Sequence, residues 1–265
     1  MTSPELFVSH LFAHNRLMIP RGTNSNQYID DDLFNVYSFY DFDYVEKPGC
    51  DAIRMQYFST STSTLEMAVK LDYNYKITTA ALYRFNKWNY DIQFMGGLFN
   101  EEDYVIGAGW SGNIKGASFR GEFSYFHPAK NFGDTTGILV ASIGSEYSFR
   151  NSSSIRFEIL YNQNKNIGVN NFADYYNMTL SAKNLSFSEF SLMLQGSYLI
   201  TPLFNFTLAF LYFPNPYGTF ISPSFTYSLT KNMDLSLIIQ SYKGQFVKGQ
   251  TEYFLLGFLR FKWSF

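Results

Sequence analysis

Gln250-Thr-Glu-Tyr-Phe-Leu-Leu-Gly-Phe-Leu-Arg-Phe-Lys-Trp-Ser-Phe265 closes the chain, and its reading decides the fold. A strand sends alternate side chains to opposite faces. Divided that way, one face carries Tyr253, Leu255, Gly257, Leu259, Phe261, Trp263 and Phe265. The other carries Glu252, Phe254, Leu256, Phe258, Arg260, Lys262 and Ser264. The first face is apolar throughout, whereas the second mixes charges with apolar groups. Chain ends are ordinarily loose and polar. A closing Trp-Ser-Phe therefore asks for an apolar environment along one whole face.

The same alternation recurs upstream. In 154–163, Ile155, Phe157, Ile159 and Tyr161 oppose Arg156, Glu158 and Asn162. In 115–127, Phe119, Phe123 and Tyr125 oppose Arg120, Glu122 and Ser124. In 232–243, Leu235, Leu237 and Ile239 oppose Asp234, Ser236 and Gln240. The pattern predicts strands near 51–59, 64–72, 75–85, 88–99, 102–112, 115–127, 136–149, 154–163, 186–199, 202–213, 217–229, 232–243 and 250–265. Most are about 9–13 residues long, enough to cross a bilayer at a tilt of ~40°. Soluble sheets use shorter strands. Residues 1–50 are irregular, with one further strand expected over Glu5–Ala13, and 51–265 form a regular meander.

A terminal strand that alternates and closes on Phe resembles the assembly signal of Gram-negative outer-membrane β-barrels. The resemblance rests on the closing strand alone. It implies an all-β, transmembrane, antiparallel up-and-down barrel in the outer membrane of a Gram-negative bacterium. It also implies that Tyr253, Phe261, Trp263 and Phe265 are presented to the machinery that folds and inserts such barrels. About 14 strands are expected in this chain, with 12 to 16 open and upstream strands allowed for, because such barrels use even numbers. The whole of 1–265 is then one barrel domain.

Composition agrees with that expectation. Of 265 residues, 20% are aromatic, with 29 Phe and 21 Tyr, yet the mean hydropathy is −0.14. Abundant rings with low mean hydropathy suit a sheet with one lipid-facing and one water-facing side. No segment approaches the length of a membrane-spanning helix. The net charge of −2 and dispersed basic residues give no footprint for nucleic acid. One cysteine, Cys50, excludes an internal disulfide. The opening Met1–His10 shows neither the basic nor the apolar region of an export signal, so a mature chain or a missing upstream part is expected.

Connection lengths alternate. Short ones fall at Asn86-Lys87, Gly112–Lys115, Asn151–Ser153, Thr201-Pro202 and Thr230-Lys231. Longer ones fall at Pro128–Thr135, Gln163–Leu185, Pro214–Pro216 and Gly244–Gly249. With Phe265 in the periplasm, all the short turns share that side and all the long loops lie outside, as outer-membrane barrels require. Aromatic residues gather at strand ends: Phe85, Trp88, Tyr147, Phe149, Tyr227 and Trp263 on one side, Tyr104, Tyr125, Tyr161, Tyr212 and Tyr253 on the other. Amphipathic rings favour the headgroup level.

The polar face becomes a lumen. Its candidate constriction residues are Arg54, Arg84, Asp91, Arg120, Glu122, Glu146, Arg156, Glu158, Arg260 and Lys262. Both signs are present, as in a charged eyelet that orients a solute or an ion-pair network that holds the wall. Loop candidates for binding are Asp41 and Asp43 in the acidic, aromatic stretch before Gly49, and Phe172, Asp174, Tyr175 and Tyr176 in the longest later loop. Asp30-Asp31-Asp32 lacks the spacing of a calcium loop, and no metal site is expected. The three histidines, His10, His14 and His127, fit no zinc motif, and neither a nucleophile elbow nor a phosphate-binding glycine loop occurs. No cofactor and no catalysis are therefore expected. The expected function is a porin-like channel for small polar solutes, with outer-membrane lipids and the barrel-assembly machinery as partners. The alternatives are an enzyme at the extracellular rim and a filled structural or adhesive barrel.

Overall fold

The structure, a computed structural model, describes residues 6–10, 52–71, 75–130, 132–163, 171, 174, 181–246 and 250–264. Its strands are β1 (Leu6–His10), β2 (Ala52–Thr60), β3 (Ser63–Leu71), β4 (Ile77–Lys87), β5 (Tyr90–Phe99), β6 (Asp103–Ile114), β7 (Ala117–Pro128), β8 (Ile138–Ser148), β9 (Ser154–Asn162), β10 (Phe190–Thr201), β11 (Phe204–Pro214), β12 (Tyr217–Thr230), β13 (Met233–Gly244) and β14 (Glu252–Trp263). They form one sheet in sequence order. Every pairing with a described register is antiparallel. A strand of twelve residues such as β13 is about 40 Å long, enough to span ~30 Å of hydrocarbon when tilted.

Up-and-down order places alternate connections at opposite strand ends. Residues 61–62, 88–89, 115–116, 149–153, 202–203 and 231–232 join strands on the turn side. Residues 72–76, 100–102, 129–137, 163–189, 215–216 and 245–251 join them on the loop side. Several expected connections shift here: the turns expected at Gly112–Lys115, Thr201-Pro202 and Thr230-Lys231 fall at 115–116, 202–203 and 231–232. The expected turn Asn86-Lys87 belongs to the ladder, where Asn86 pairs with Asp91 and Lys87 with Tyr90. The turn is Trp88-Asn89, both at positive φ (56° and 62°). That conformation matches the twist of two antiparallel strands, and Asn tolerates it. The expected longer loop at Pro214–Pro216 is a two-residue turn, because Pro214 still pairs with Tyr217.

The chain falls into two compact units. Unit 1 is Met1–Gly112, Arg120–Ala141 and Thr179–Leu185; unit 2 is Asn113–Phe119, Ser142–Met178 and Ser186–Phe265. In each, alternate side chains differ in exposure. In unit 1, Ile53, Val69, Tyr83, Phe94, Tyr104 and Ile106 form an exposed apolar face, with Ile106 61% accessible. Their strand neighbours turn to a sheltered face. In unit 2, Phe157, Leu194, Ile221, Leu237 and Leu259 form the exposed face.

The sheltered faces are less polar than alternation alone suggests. On the loop side of unit 1, Phe99 meets Phe126 edge-on at 5.8 Å, and Val105, Phe126, Val140 and Ala182 are at most 1% accessible. On the loop side of unit 2, Leu211, Phe213, Phe220 and Tyr242 are buried. Each such ring contributes about 1.5–3 kcal/mol by leaving water.

Close strand approach depends on Gly97. A Cβ there would collide with the Thr79 carbonyl oxygen and stand 2.9 Å from Ala80 Cα. At the adjacent Gly96 a Cβ meets nothing nearer than the Val105 carbonyl oxygen at 3.8 Å. Gly97→Ala is therefore expected to force β4 and β5 apart and lose about 1–3 kcal/mol, while Gly96→Ala is nearly neutral. Urea unfolding in lipid vesicles, followed by tryptophan fluorescence, measures both. Similar losses at the two positions would contradict the packing described.

Candidate functional site

In unit 1 the charged candidates make contacts across strands, one of them an ion pair, and Arg84 and Asp91 are exposed. Arg54 on β2 lies opposite Ala68, next to Glu66 on β3. Arg54 Nε is 2.5 Å from Glu66 Oε1, and Nη2 donates to Oε2 at 2.6 Å. Gln56 Nε2 adds a second hydrogen bond to Oε2 of the same carboxylate at 2.9 Å. A two-pronged contact holds both groups in one geometry. Arg84 on β4 donates to Gln93 Oε1 on β5 at 3.2 Å. Asp91 accepts from Asn86 Nδ2 at 2.8 Å. Arg120 on β7 is buried and Glu122 is half-buried. At Gly107 on β6 there is a shallow recess, which Gln93, Met95, Glu122 and Ser124 also line.

The loop side of unit 1 is stitched by polar contacts. Asn100 donates its backbone N–H to Thr78 Oγ1 at 3.1 Å, and the Ile77 N–H donates to Glu101 at 3.2 Å. Lys76 is hydrogen-bonded to Glu102. Lys183, from the β9–β10 connection, reaches buried Asp103 at 2.5 Å. The Lys76 hydrogen bond holds the Glu102 carboxyl below its ordinary range, with Lys183 and Lys130 adding attraction. A depressed folded-state value contributes stability that is present above the unfolded value and lost as pH falls through the folded one. The Glu102 titration, followed by NMR of the labelled side chain, is expected below the ordinary carboxylate range. Lys76→Ala should raise it toward that range. A titration indifferent to Lys76 would refute the pairing.

In unit 2, Arg156 Nη2 donates to Glu158 Oε2 on the same strand at 2.9 Å, and Glu146 is half-buried on β8. Toward the turn side the wall becomes rich in hydroxyls. Ser154 and Ser197 are 2.9 Å apart, Thr226 and Ser236 3.0 Å, and Ser228 donates to Asp234 at 2.7 Å. Arg260 stands opposite Ser236, and Lys262 opposite Asp234. On the loop side, Phe187 from the β9–β10 connection packs on Phe213 at 4.7 Å and on Phe246 at 5.4 Å. Phe246 stacks on Tyr242 at 5.1 Å.

The strand expected over 186–199 begins only at Phe190. Serine hydroxyls compete for the backbone ahead of it. Ser188 Oγ lies 2.7 Å from the Phe190 carbonyl and 2.9 Å from that of Asn215. Ser186 Oγ is 2.7 Å from Ser191 Oγ, and Asn162 donates to the Ser186 carbonyl at 2.6 Å.

Of the candidate loop residues, Asp174 is exposed, with its backbone N–H donating to Asn171 at 2.9 Å. Asp41, Asp43, Phe172, Tyr175 and Tyr176 lie outside the described residues. On β14, Tyr253, Phe261 and Trp263 are exposed; Phe265 lies outside the described residues. Rings meet at both strand ends: Tyr147 with Phe149 at 4.9 Å and Phe204 with Tyr227 at 6.1 Å on the turn side, Tyr161 with Phe190 at 5.0 Å and Tyr104 with Phe132 at 6.3 Å on the loop side. His127 sits against Phe132 at 4.1 Å, its Nδ1 3.1 Å from the Pro128 carbonyl. Alternation along the strands did not reveal the Asp103–Lys183 pair or the Phe187 cluster. The only local cue is an apolar Phe187 set among Ser186 and Ser188, where a solvated loop would be polar.

No described protein family matches the sequence, and no curated protein matches it. Among solved structures, the chain is similar to the crystal structure of the outer membrane channel DcaP of Acinetobacter baumannii. The TM-score is 0.51 at 10% identity, over 82% of this chain and 85% of that one. At that identity the similarity speaks for the fold. The chain has the all-β fold of a transmembrane, antiparallel up-and-down β-barrel.

Proposed function

We propose that the protein is an outer-membrane channel through which small polar solutes pass by diffusion, with no catalytic step. One observation carries this reading: charged and hydroxyl side chains of the strands collect on the sheltered face, while the opposite face is apolar and exposed in both units. An apolar exposed face suits lipid, and a barrel with a polar interior suits water and solutes. In this reading the paired Arg54–Glu66 and Arg156–Glu158 stiffen the wall. Paired charges of both signs argue for weak ion preference. Outer-membrane lipids contact the exposed face, and the barrel-assembly machinery recognises the strand that carries Tyr253, Phe261, Trp263 and Phe265. The apolar clusters on the loop side favour a second reading, a filled structural barrel.

Conductance of the refolded protein in a planar bilayer separates the two. Discrete, stable current steps are expected of the channel. A folded, heat-modifiable protein that inserts yet stays silent would overturn the channel reading and leave the filled barrel.

A further inference from the structure

The geometry points to the turn-side wall of unit 2 as a track for neutral polyhydroxylated solutes, saccharides by chemical class; this rests on the channel reading above. Two cross-strand rows define the track. Ser197 on β10 faces Thr207 on β11, which faces Ser224 on β12. Asn205 faces Thr226, which faces Ser236 on β13. All six are partly exposed on the sheltered face. Neighbouring groups within a row are about 4.8 Å apart and the rows are ~7 Å apart along the strands. That grid is comparable with the width of a sugar ring.

The chemistry of the rows favours neutral solutes. A hydroxyl offers one rotatable donor and two acceptor sites, and a carboxamide offers both kinds. Such groups follow the alternating donors and acceptors of a sugar in several poses. Where hydroxyls already bond one another, as Thr226 and Ser236 do at 3.0 Å, acceptor capacity remains. None of these six positions carries a charge, and Arg260, which stands opposite Ser236 at the end of one row, is itself engaged by a partner, so a carboxylate or ammonium solute gains little from them. The wall of unit 1 differs, because its Arg54 and Glu66 occupy each other. Stacking plays no part here: Phe220 and Tyr242, further along the same strands, are buried. Recognition by hydrogen bonds alone is weak, and weak sites let a solute leave as well as enter.

The test uses the full chain in planar bilayers, with maltotriose as the neutral probe and triglycine as the zwitterionic one. Maltotriose is expected to interrupt the open-channel current at concentrations where triglycine does not. The double variant Thr207→Val with Thr226→Val keeps side-chain shape and removes two hydroxyls. Its maltotriose block, relative to its own open current, should weaken by about fivefold, the worth of one neutral hydrogen bond. Thr219→Val, on the exposed face of β12, should leave the block intact. An open channel that maltotriose does not block, or a block indifferent to the double variant, overturns the track while leaving the channel reading standing. Absence of any conductance overturns both.

Discussion

Phe187→Ala is expected to destabilise the folded protein by about 3–5 kcal/mol, the range for truncating a buried aromatic ring. Phe187 is 3% accessible although it lies in the β9–β10 connection. Its ring rests on Phe213 at 4.7 Å and on Phe246 at 5.4 Å. Phe246 belongs to another connection and stacks on Tyr242. Removing the ring leaves a cavity between two connecting segments whose described residues lie outside the strands. The hydrogen bonds of Ser186 and Ser188 are worth about 1 kcal/mol each and do not replace the burial. Phe187→Leu should recover most of the loss. Urea unfolding in lipid vesicles gives the free energy, and protease cleavage within 181–189 reports release of the segment. Wild-type stability and an uncleaved segment in Phe187→Ala would show that the ring anchors nothing.

Leu237→Arg tests the assignment of faces. Leu237 lies in the middle of β13 between Phe225 on β12 and Leu259 on β14, on the exposed apolar face. A guanidinium there meets hydrocarbon, at a cost of about 2–4 kcal/mol near the bilayer midplane. Ser224→Arg on β12 is the matched control. Ser224 points to the sheltered face, where the new group can reach the hydroxyls of Thr207 and Thr226. Its stability cost should be much smaller, and its effect should appear as reduced conductance. Equal destabilisation by the two substitutions in lipid vesicles would mean that the two faces see the same solvent.

The strands of this protein are legible because a ladder of period two leaves its mark on every residue. Asp234, Ser236 and Gln240 against Leu235, Leu237 and Ile239 assign β13 to two environments before any contact is known. A slip of one residue would exchange the two sets, so the pattern also constrains register. Turn positions are less legible. Asn86-Lys87 and Trp88-Asn89 both separate apolar runs, and only the hydrogen-bonded pairing of Asn86 with Asp91 and Lys87 with Tyr90 decides between them.

Alternation states which face a side chain takes, and it is silent on what covers that face. Phe126, Val105, Phe213 and Tyr242 share parity with Arg120, Ser111, Thr207 and Gln240 on their own strands. By pattern alone they belong to a water-filled wall. The tertiary structure decides otherwise for the loop side of each unit, because segments between strands return to cover it. Lys183 meets Asp103 across 80 residues of sequence, and Phe187 meets Phe213 and Phe246. Such contacts depend on where a connection folds back, which has no period. Alternation along the strands therefore determined the two faces, and long-range packing alone decided which part of the sheltered face is apolar and covered and which part stays hydroxyl-lined.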